Sequence, residues 1–538
     1  MGEPLLEVTD LEVTLGGRRV VESVRFAVEP GRTLAIVGES GSGKSVSLLA
    51  ATRLLGGRAQ VRGRVRFRGR DLLAAADREV RQLLGRDIGF VFQDPQSNLH
   101  PFKTIGRQID EALRVHGVRG RAARRERVHE LLDEVGIADP EHAYRHYPAE
   151  FSGGMRQRVM IAMAIACSPA LLIADEPTTA LDASVQADIL ALLARLQRDH
   201  DMAMVFVSHD LAVVHQIADT VTVVRSGRVV ESGPVQQIYR RPESAYTRRL
   251  LAASRLHSLA DAGEARPALR PAAAEPEPVL TVRGLRKSYR ARGRRRRVVI
   301  DGLDLSVRRG EIVGLVGESG SGKSTVGRIV AGLAYADAGE ITLAGTRYPT
   351  AVSDGVPPLP AAARRAVQLV FQDPYASLNP RRRVGDSIAE PLRIQRVPEP
   401  DIAERVRTAA ARAALPAELL GRFPAELSGG QRQRVAIARA LVLEPEVVVA
   451  DEALSSLDVT TQAEIVELFA GLAREQGTGL LFISHDLGVV AAIADRVVVL
   501  GPDGVAESGR TAEVFADPRS PYTRRLLAAV PRIEARAS

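Results

Sequence analysis

The chain has 538 residues, 45% of them hydrophobic and 26% charged, with a formal net charge of +8. That length allows more than one domain, each with its own core, and the composition is that of an ordinary globular protein. It excludes a membrane-embedded protein, since no apolar run reaches the roughly 18 residues a span requires, and the longest, Val159–Ala174, is interrupted by Ser168 and Pro169.

The opening MGEPLLEVTD has no basic-then-apolar leader pattern. A single cysteine, Cys167, leaves no disulfide framework and no Cys-based zinc site, and its apolar flanks predict a small core residue. These features predict a cytoplasmic location. The positive charge is scattered, with runs only at Arg294–Arg297 and Arg381–Arg383, so no nucleic-acid partner is expected. Lysine occurs only at Lys44, Lys103, Lys287 and Lys323. Two of these fall inside the glycine-rich stretches described next, where a forked arginine cannot replace a point charge.

In chain order, the apolar run Leu34–Val37 reads as a buried strand. It runs into Gly38, Glu39, Ser40, Gly41, Ser42, Gly43, Lys44 and Ser45, a G-x-x-x-x-G-K-S loop. Glycines let consecutive N–H groups approach phosphate oxygens, and the helix that follows adds its positive dipole end. Lys44 can then reach the terminal phosphates, and the Ser45 hydroxyl can hold Mg2+. Strand patterns follow at Ile88–Val91, Leu171–Ala174 and Met204–Val207. The first leads to Gln93 in FQDP. The second delivers Asp175 and Glu176, and the third delivers His209. Carboxylates at a strand's C-terminal end lie where open α/β sheets bind ligands. The first can hold Mg2+, and the second can orient or deprotonate an attacking water. Between them Ser152, Gly153 and Gly154 open a helical stretch, a second anion-binding device.

All of this recurs. Gly317 follows Gly38 by 279 residues, as Gln372 follows Gln93, while Ser428, Asp451, His485 and Tyr522 each follow their counterparts by 276. The chain is therefore a tandem duplication. The second loop is Gly317, Glu318, Ser319, Gly320, Ser321, Gly322, Lys323 and Ser324, followed by Thr325. The matching strands are Ile312–Val316, Val367–Val370, Val447–Ala450 and Leu480–Ile483. The expected division is a first domain over residues 1–255, an Ala/Pro-rich linker over 256–278 and a second domain over 279–538. The alternation of strand and helix patterns predicts an α/β fold with a mostly parallel core sheet in each domain.

In this order the loops, FQDP, the S-G-G segments, the Asp-Glu pairs, the A-L-D and S-L-D turns (Ala180–Asp182 and Ser456–Asp458) and the Ser-His-Asp turns resemble ABC ATPase domains. The resemblance implies two P-loop nucleotide-binding domains with helical subdomains, closing head-to-tail over two molecules of ATP. Site one would use Lys44, Ser45, Gln93, Asp175, Glu176 and His209, closed by Ser428, Gly429, Gly430 and Gln431. Site two would use Lys323, Ser324, Gln372, Asp451, Glu452 and His485, closed by Ser152, Gly153 and Gly154. Glu176 and Glu452 would be general bases, and the histidines would contact the γ-phosphate. Ser45, Gln93 and Asp175, and likewise Ser324, Gln372 and Asp451, would hold Mg2+.

There are departures. The aromatic that stacks on adenine is Tyr289 in the second copy but Leu15 in the first. Met155 stands where the second copy has Gln431, and Ala453 where the first has Pro177. FQDPQSNLHP, FQDPYASLNP and the two Tyr-Thr-Arg elements at Tyr246 and Tyr522 resemble ATPases of the peptide and nickel importers, among them importers of dipeptides and glutathione. This implies two integral membrane permease subunits, an extracytoplasmic solute-binding protein and a place on the cytoplasmic membrane face. The post-Gln segments Gln96–Ile109 and Tyr375–Ile388 read as flexible connectors, and the two tyrosines as packing of a terminal helix. The rival reading is a soluble tandem ABC protein acting on ribosomes. It predicts a long charged arm between the domains, which the 256–278 composition does not provide.

Overall fold

The computed structural model describes residues 3–57, 59–179, 181–257, 277–289, 296–349, 360–455 and 457–530. Most of the expected linker, Arg294 and Arg295 of the first arginine run, and Ala180 and Ser456 of the two turns lie outside the described residues.

The first half contains β1 (Leu6–Leu15), β2 (Arg18–Val28), β3 (Thr33–Val37), α1 (Lys44–Ala51), β4 (Ala59–Phe67), β5 (Arg70–Asp71), β6 (Ile88–Val91), α2 (Ile105–Val115) and α3 (Arg121–Glu134). It continues with α4 (Gly153–Ile165), β7 (Leu171–Asp175), α5 (Ala183–Asp199), β8 (Ala203–Ser208), β9 (Thr220–Arg225), β10 (Arg228–Pro234) and α6 (Ala245–Ser254). The second half repeats them as β11 (Pro278–Tyr289), β12 (Arg297–Arg308), β13 (Ile312–Val316), α7 (Lys323–Val330), β14 (Ala338–Leu343), β15 (Thr346–Pro349), β16 (Val367–Val370), α8 (Val384–Ile394) and α9 (Glu399–Arg412). Last come α10 (Gly429–Leu441), β17 (Val447–Asp451), α11 (Val459–Gln476), β18 (Gly479–Ile483), β19 (Arg496–Gly501), β20 (Gly504–Arg510) and α12 (Pro521–Ala528).

The core sheets run β6-β7-β8-β3-β9-β10 and β16-β17-β18-β13-β19-β20. Every pairing is parallel except the last, where β10 and β20 run antiparallel to their neighbours. All five residues of β3, of β7, of β13 and of β17 are buried. This is the continuous apolar pattern of a sheet covered on both faces. Alternate residues feed opposite cores. Leu34 and Ile36 pack with Phe26, Leu48 and Ile173, while Ala35 and Val37 pack with Ile109, Val159 and Phe206.

A second antiparallel layer, β2-β1-β4-β5 and β12-β11-β14-β15, was absent from the expectation. In the first half a single parallel bridge, Arg228 to Ser23, joins it to the core sheet. The post-Gln segments are also more ordered than a flexible connector, for they form short helices over Pro95–Asn98 and Pro374–Ser377 and then enter α2 and α8. Cys167 is half-buried at the edge of a core cluster instead of inside it.

Candidate functional site

Four adjacent strands of each core sheet end at one crevice. In the first half β6 leads to Gln93, β7 ends in Asp175 and leads to Glu176, β8 leads to His209, and β3 leads to the phosphate loop. The topology thus brings together residues up to 171 positions apart in sequence, as from Gly38 to His209.

The loop is built around its glycines. Gly38 has φ 153° and passes so close to β9 that a Cβ would lie 2.1 Å from the Val224 carbonyl oxygen. Gly43 has φ 99° and starts α1. Lys44 is buried, and its Nζ donates to the carbonyls of Gly38 (2.7 Å) and Glu39 (2.9 Å). Burial lowers the Lys44 pKa, opposed by Glu176, Asp175 and Asp458 of the second half. Ser45 Oγ donates to Asp175 Oδ1 at 2.9 Å. Burial raises Asp175 to about 6, against the pull of Ser45.

Glu176 leaves β7 in the left-handed region, φ 47°, with its N–H on the Val207 carbonyl. Glu452 repeats this at φ 46°. A non-glycine residue held there costs about 1–3 kcal/mol, a strain that gathers at functional sites. Four side chains face the Glu176 carboxylate. Gln93 Nε2 donates at 2.8 Å and Thr179 Oγ1 at 3.1 Å, His209 Nδ1 lies at 3.4 Å, and Lys44 Nζ at 4.0 Å. Burial alone would raise the Glu176 pKa, but His209, Lys44 and Thr179 outweigh it and bring it down to about 2.

The second half repeats the arrangement. Lys323 Nζ donates to Gly317 (2.8 Å) and Glu318 (2.9 Å) carbonyls, and Ser324 Oγ to Asp451 Oδ1 (2.8 Å). Gln372 Nε2 donates to Glu452 Oε2 (2.7 Å), and His485 Nδ1 lies 3.6 Å from Glu452 Oε1. Asp451 is raised by burial, while His485 and Lys323 pull Glu452 down against burial. His485 itself is raised, because Glu452 outweighs burial. Tyr289 is 46% exposed, with its hydroxyl 3.5 Å from Thr325 Oγ1. Leu15, by contrast, packs on the core of the first half.

The S-G-G segments do open helices. Ser152 caps α4 and Ser428 caps α10, each hydroxyl accepting from the N–H three residues on. Gln431 Oε1 also accepts from the Ser428 N–H, completing a reciprocal cap that Met155 cannot make. Among the described residues no hydrogen bond or ion pair joins either segment to the opposite phosphate loop. Among the described residues, the hydrogen bonds that do cross between the halves come from the first turns of α5 and α11. Thr460 Oγ1 donates to Glu39 Oε1 (2.9 Å), and Ser184 Oγ to Glu318 Oε1 (3.3 Å). One cavity is lined by Ser208, His209 and Asp210 together with Ser484, His485 and Asp486.

The geometry fits nucleotide and cation. The buried hydroxyls of Ser42 and Ser321, inside the loops, have no hydrogen-bond partner. Ser45 and Asp175 form an oxygen pair of the kind Mg2+ takes from a protein when phosphate and water supply the rest. Among the described residues no cluster of three or more His, Cys, Asp or Glu could hold a metal unaided. No helix among them is long and apolar enough to cross a membrane.

A family model described as "ABC transporter" matches residues 21–179 and 300–455, and one described as "Oligopeptide/dipeptide transporter, C-terminal region" matches residues 506–538. The chain is 44% identical to the peptidoglycan transport ATP-binding protein YejF of Agrobacterium fabrum, over 99% of this chain and 97% of that protein. It is 44% identical to the glutathione import ATP-binding protein GsiA of Escherichia coli K12, over 96% of this chain and 87% of that protein. The solved structure of cbiO1 from Clostridium perfringens, part of the ABC transporter complex cbiONQ, shares 26% identity over 45% of this chain and 93% of its own, with a TM-score of 0.40. The repeated crevices, the two matched segments and the full-length relatives lead to one conclusion: the chain belongs to the ABC transporter ATP-binding proteins of the peptide and nickel importer family, an ATPase with two ABC domains in one polypeptide.

Proposed function

We propose that this chain is the motor of an importer for peptide-type substrates, driving two integral membrane permease subunits supplied by an extracytoplasmic solute-binding protein. It would work at the cytoplasmic face of the membrane, with domains over 1–255 and 279–538 and a linker over 256–278. The observation that carries the reading is the duplicated Lys–Asp–Glu–Gln–His constellation, complete in both halves. The oligopeptide/dipeptide match at 506–538 and the peptidoglycan and glutathione transport relatives favour peptide over nickel, and over the ribosomal alternative.

In this reading Lys44 and Lys323 leave the loop carbonyls for the β/γ-phosphates of ATP. Ser45, Gln93 and Asp175 in one site, and Ser324, Gln372 and Asp451 in the other, would hold Mg2+, which would supply neutralisation of the charge on the phosphates. Glu176 and Glu452 orient the attacking water and accept its proton. His209, Lys44 and Thr179 together hold the Glu176 carboxylate ionised, ready to orient the water. His209 and His485 reach the γ-phosphate from the neighbouring strand. The S-G-G helix of each half closes the opposite site with its N–H groups.

The test is ATP hydrolysis by the chain assembled with its membrane subunits, for Glu176→Gln and Glu452→Gln separately. Each should lose about 10²-fold or more, because the sites share one clamp. A nearly silent mutant would show that its site does not hydrolyse. Co-purification of ribosomes instead of permeases would overturn the transport reading.

A further inference from the structure

The second residue of each phosphate loop has all three of its polar groups engaged, and in the same way twice. The Glu39 carbonyl accepts from Lys44, and its carboxylate accepts from Thr460 of the other half. Its N–H donates to the hydroxyl of Tyr246 at 3.1 Å. In the second half the Glu318 carbonyl accepts from Lys323, its carboxylate from Ser184, and its N–H donates to Tyr522 at 3.1 Å. Tyr246 and Tyr522 lie in the first turns of α6 and α12, the terminal helices of the two halves.

The tyrosines are aimed by duplicated scaffolding. The carboxylate of Glu231 accepts from the N–H groups of Glu243 (2.8 Å) and Ser244 (3.1 Å), and that of Glu507 from Arg519 (2.9 Å) and Ser520 (3.1 Å). Ser244 and Ser520 then cap their helices on the tyrosine N–H, at 3.2 Å in both halves. Beyond the tyrosine, α6 packs on α11 of the opposite half and α12 on α5. Mere packing of a terminal helix would need none of this, since phenylalanine fills the same space.

We propose that Tyr246 and Tyr522 are positioning residues for ATP binding, fixing through their hydroxyls the residue at which the catalytic lysine, the terminal helix and the opposite half meet. When Lys44 turns to a phosphate it releases the Glu39 carbonyl. The N–H and carboxylate of the same residue pass that change to Tyr246 and to Thr460. Occupancy of one loop is thereby reported to the other half through a residue that touches no phosphate with its side chain.

The experiment is steady-state ATP hydrolysis by the full chain, comparing Tyr246→Phe, Thr460→Val, the pair together, and Leu250→Ala. Leu250 is 1% exposed on α6 and serves as a packing control that leaves the hydroxyl in place. Tyr246→Phe should raise KM for ATP about 3- to 10-fold, the span of one ordinary hydrogen bond, with kcat changed much less and the unfolding temperature lowered by no more than about 2–4 °C. The double variant should show less than the product of the single effects, because both act through Glu39. An unchanged KM in Tyr246→Phe overturns the proposal. So does an equal rise in Leu250→Ala, since the helix and not the hydroxyl would then matter.

Discussion

Replacing Gly38 by alanine isolates the geometry on which the first site depends. The added Cβ would lie 2.1 Å from the Val224 carbonyl oxygen, whereas ordinary contact begins at 3.4 Å. Val224 belongs to β9, hydrogen-bonded on both sides, so the sheet will not yield. The loop must move by about 1 Å, and a misplacement of that size costs about 10²-fold in rate. The unfavourable φ adds about 1–2 kcal/mol of strain. Gly38→Ala is therefore expected to lose about 10²-fold of ATP hydrolysis, and Gly317→Ala, 2.2 Å from the Leu500 carbonyl, should match it. Gly117→Ala is the control: its φ is 87° with nothing within 4 Å, so it should lose about 1 kcal/mol of stability and no activity. Hydrolysis by Gly38→Ala within about threefold of the parent would show that the loop accommodates the Cβ and that the argument is wrong.

Two further outcomes follow from the same geometry. Asp175 is raised from 3.8 to about 6, so its ionisation opposes folding, beginning as pH rises above 3.8 and complete above about 6. Asp175→Asn should raise the unfolding temperature of the nucleotide-free chain at pH 8, removing a penalty of about 3 kcal/mol, and should gain about half as much at pH 5; an equal gain at both pH values would refute this. Glu176 has the opposite sign, its stabilisation being present above pH 4.5 and lost as pH falls toward 2. Met155→Gln should supply the reciprocal cap that Gln431 makes with Ser428, worth about 0.5–1 kcal/mol, or about 1–3 °C by calorimetry; no change would mean that the α4 N-terminus is satisfied already.

The core sheets were legible because their strands are buried on both faces. Ile88–Val91, Ile312–Val316 and Val367–Val370 were bounded as the structure has them, since an apolar run ends where a crevice begins. The antiparallel layer escaped because its alternation is broken. β1 carries an irregularity between Val8 and Leu11, at Asp10 with φ 49°, which shifts the inward face by one residue. β11 breaks likewise between Val282 and Leu285, at Gly284. The crevice residues were legible as motifs, yet the left-handed turn at Glu176 and Glu452 was not, because nothing in an Asp-Glu pair announces a positive φ. The tyrosines were read as helix packing. Their hydrogen bonds to Glu39 and Glu318 join positions 207 and 204 residues apart, and only the fold reveals them.

The differences between the halves take on meaning when the head-to-tail closure proposed above is followed through. Site one would combine the loop at Gly38 and the non-aromatic Leu15 with the fully capped S-G-G segment at Ser428 and Gln431. Site two would combine the loop at Gly317 and the exposed Tyr289 with the S-G-G segment followed by Met155. Each composite site would then hold one departure and one intact element. Weaker stacking on adenine would face the better-ordered helix N-terminus, and stronger stacking the less constrained one. Base stacking on an aromatic contributes about 1–3 kcal/mol, and the reciprocal bond that Met155 forgoes, with the Ser152 cap kept, about 0.5–1 kcal/mol, so the stacking loss is the larger. The groups proposed to touch phosphate, metal and water are the same in both halves, and the departures lie at the proposed adenine contact and at the helix cap. On the closure proposed above, the two sites would differ in how they hold the nucleotide, while the constellations at Glu176 and Glu452 offer the same groups for cleaving it.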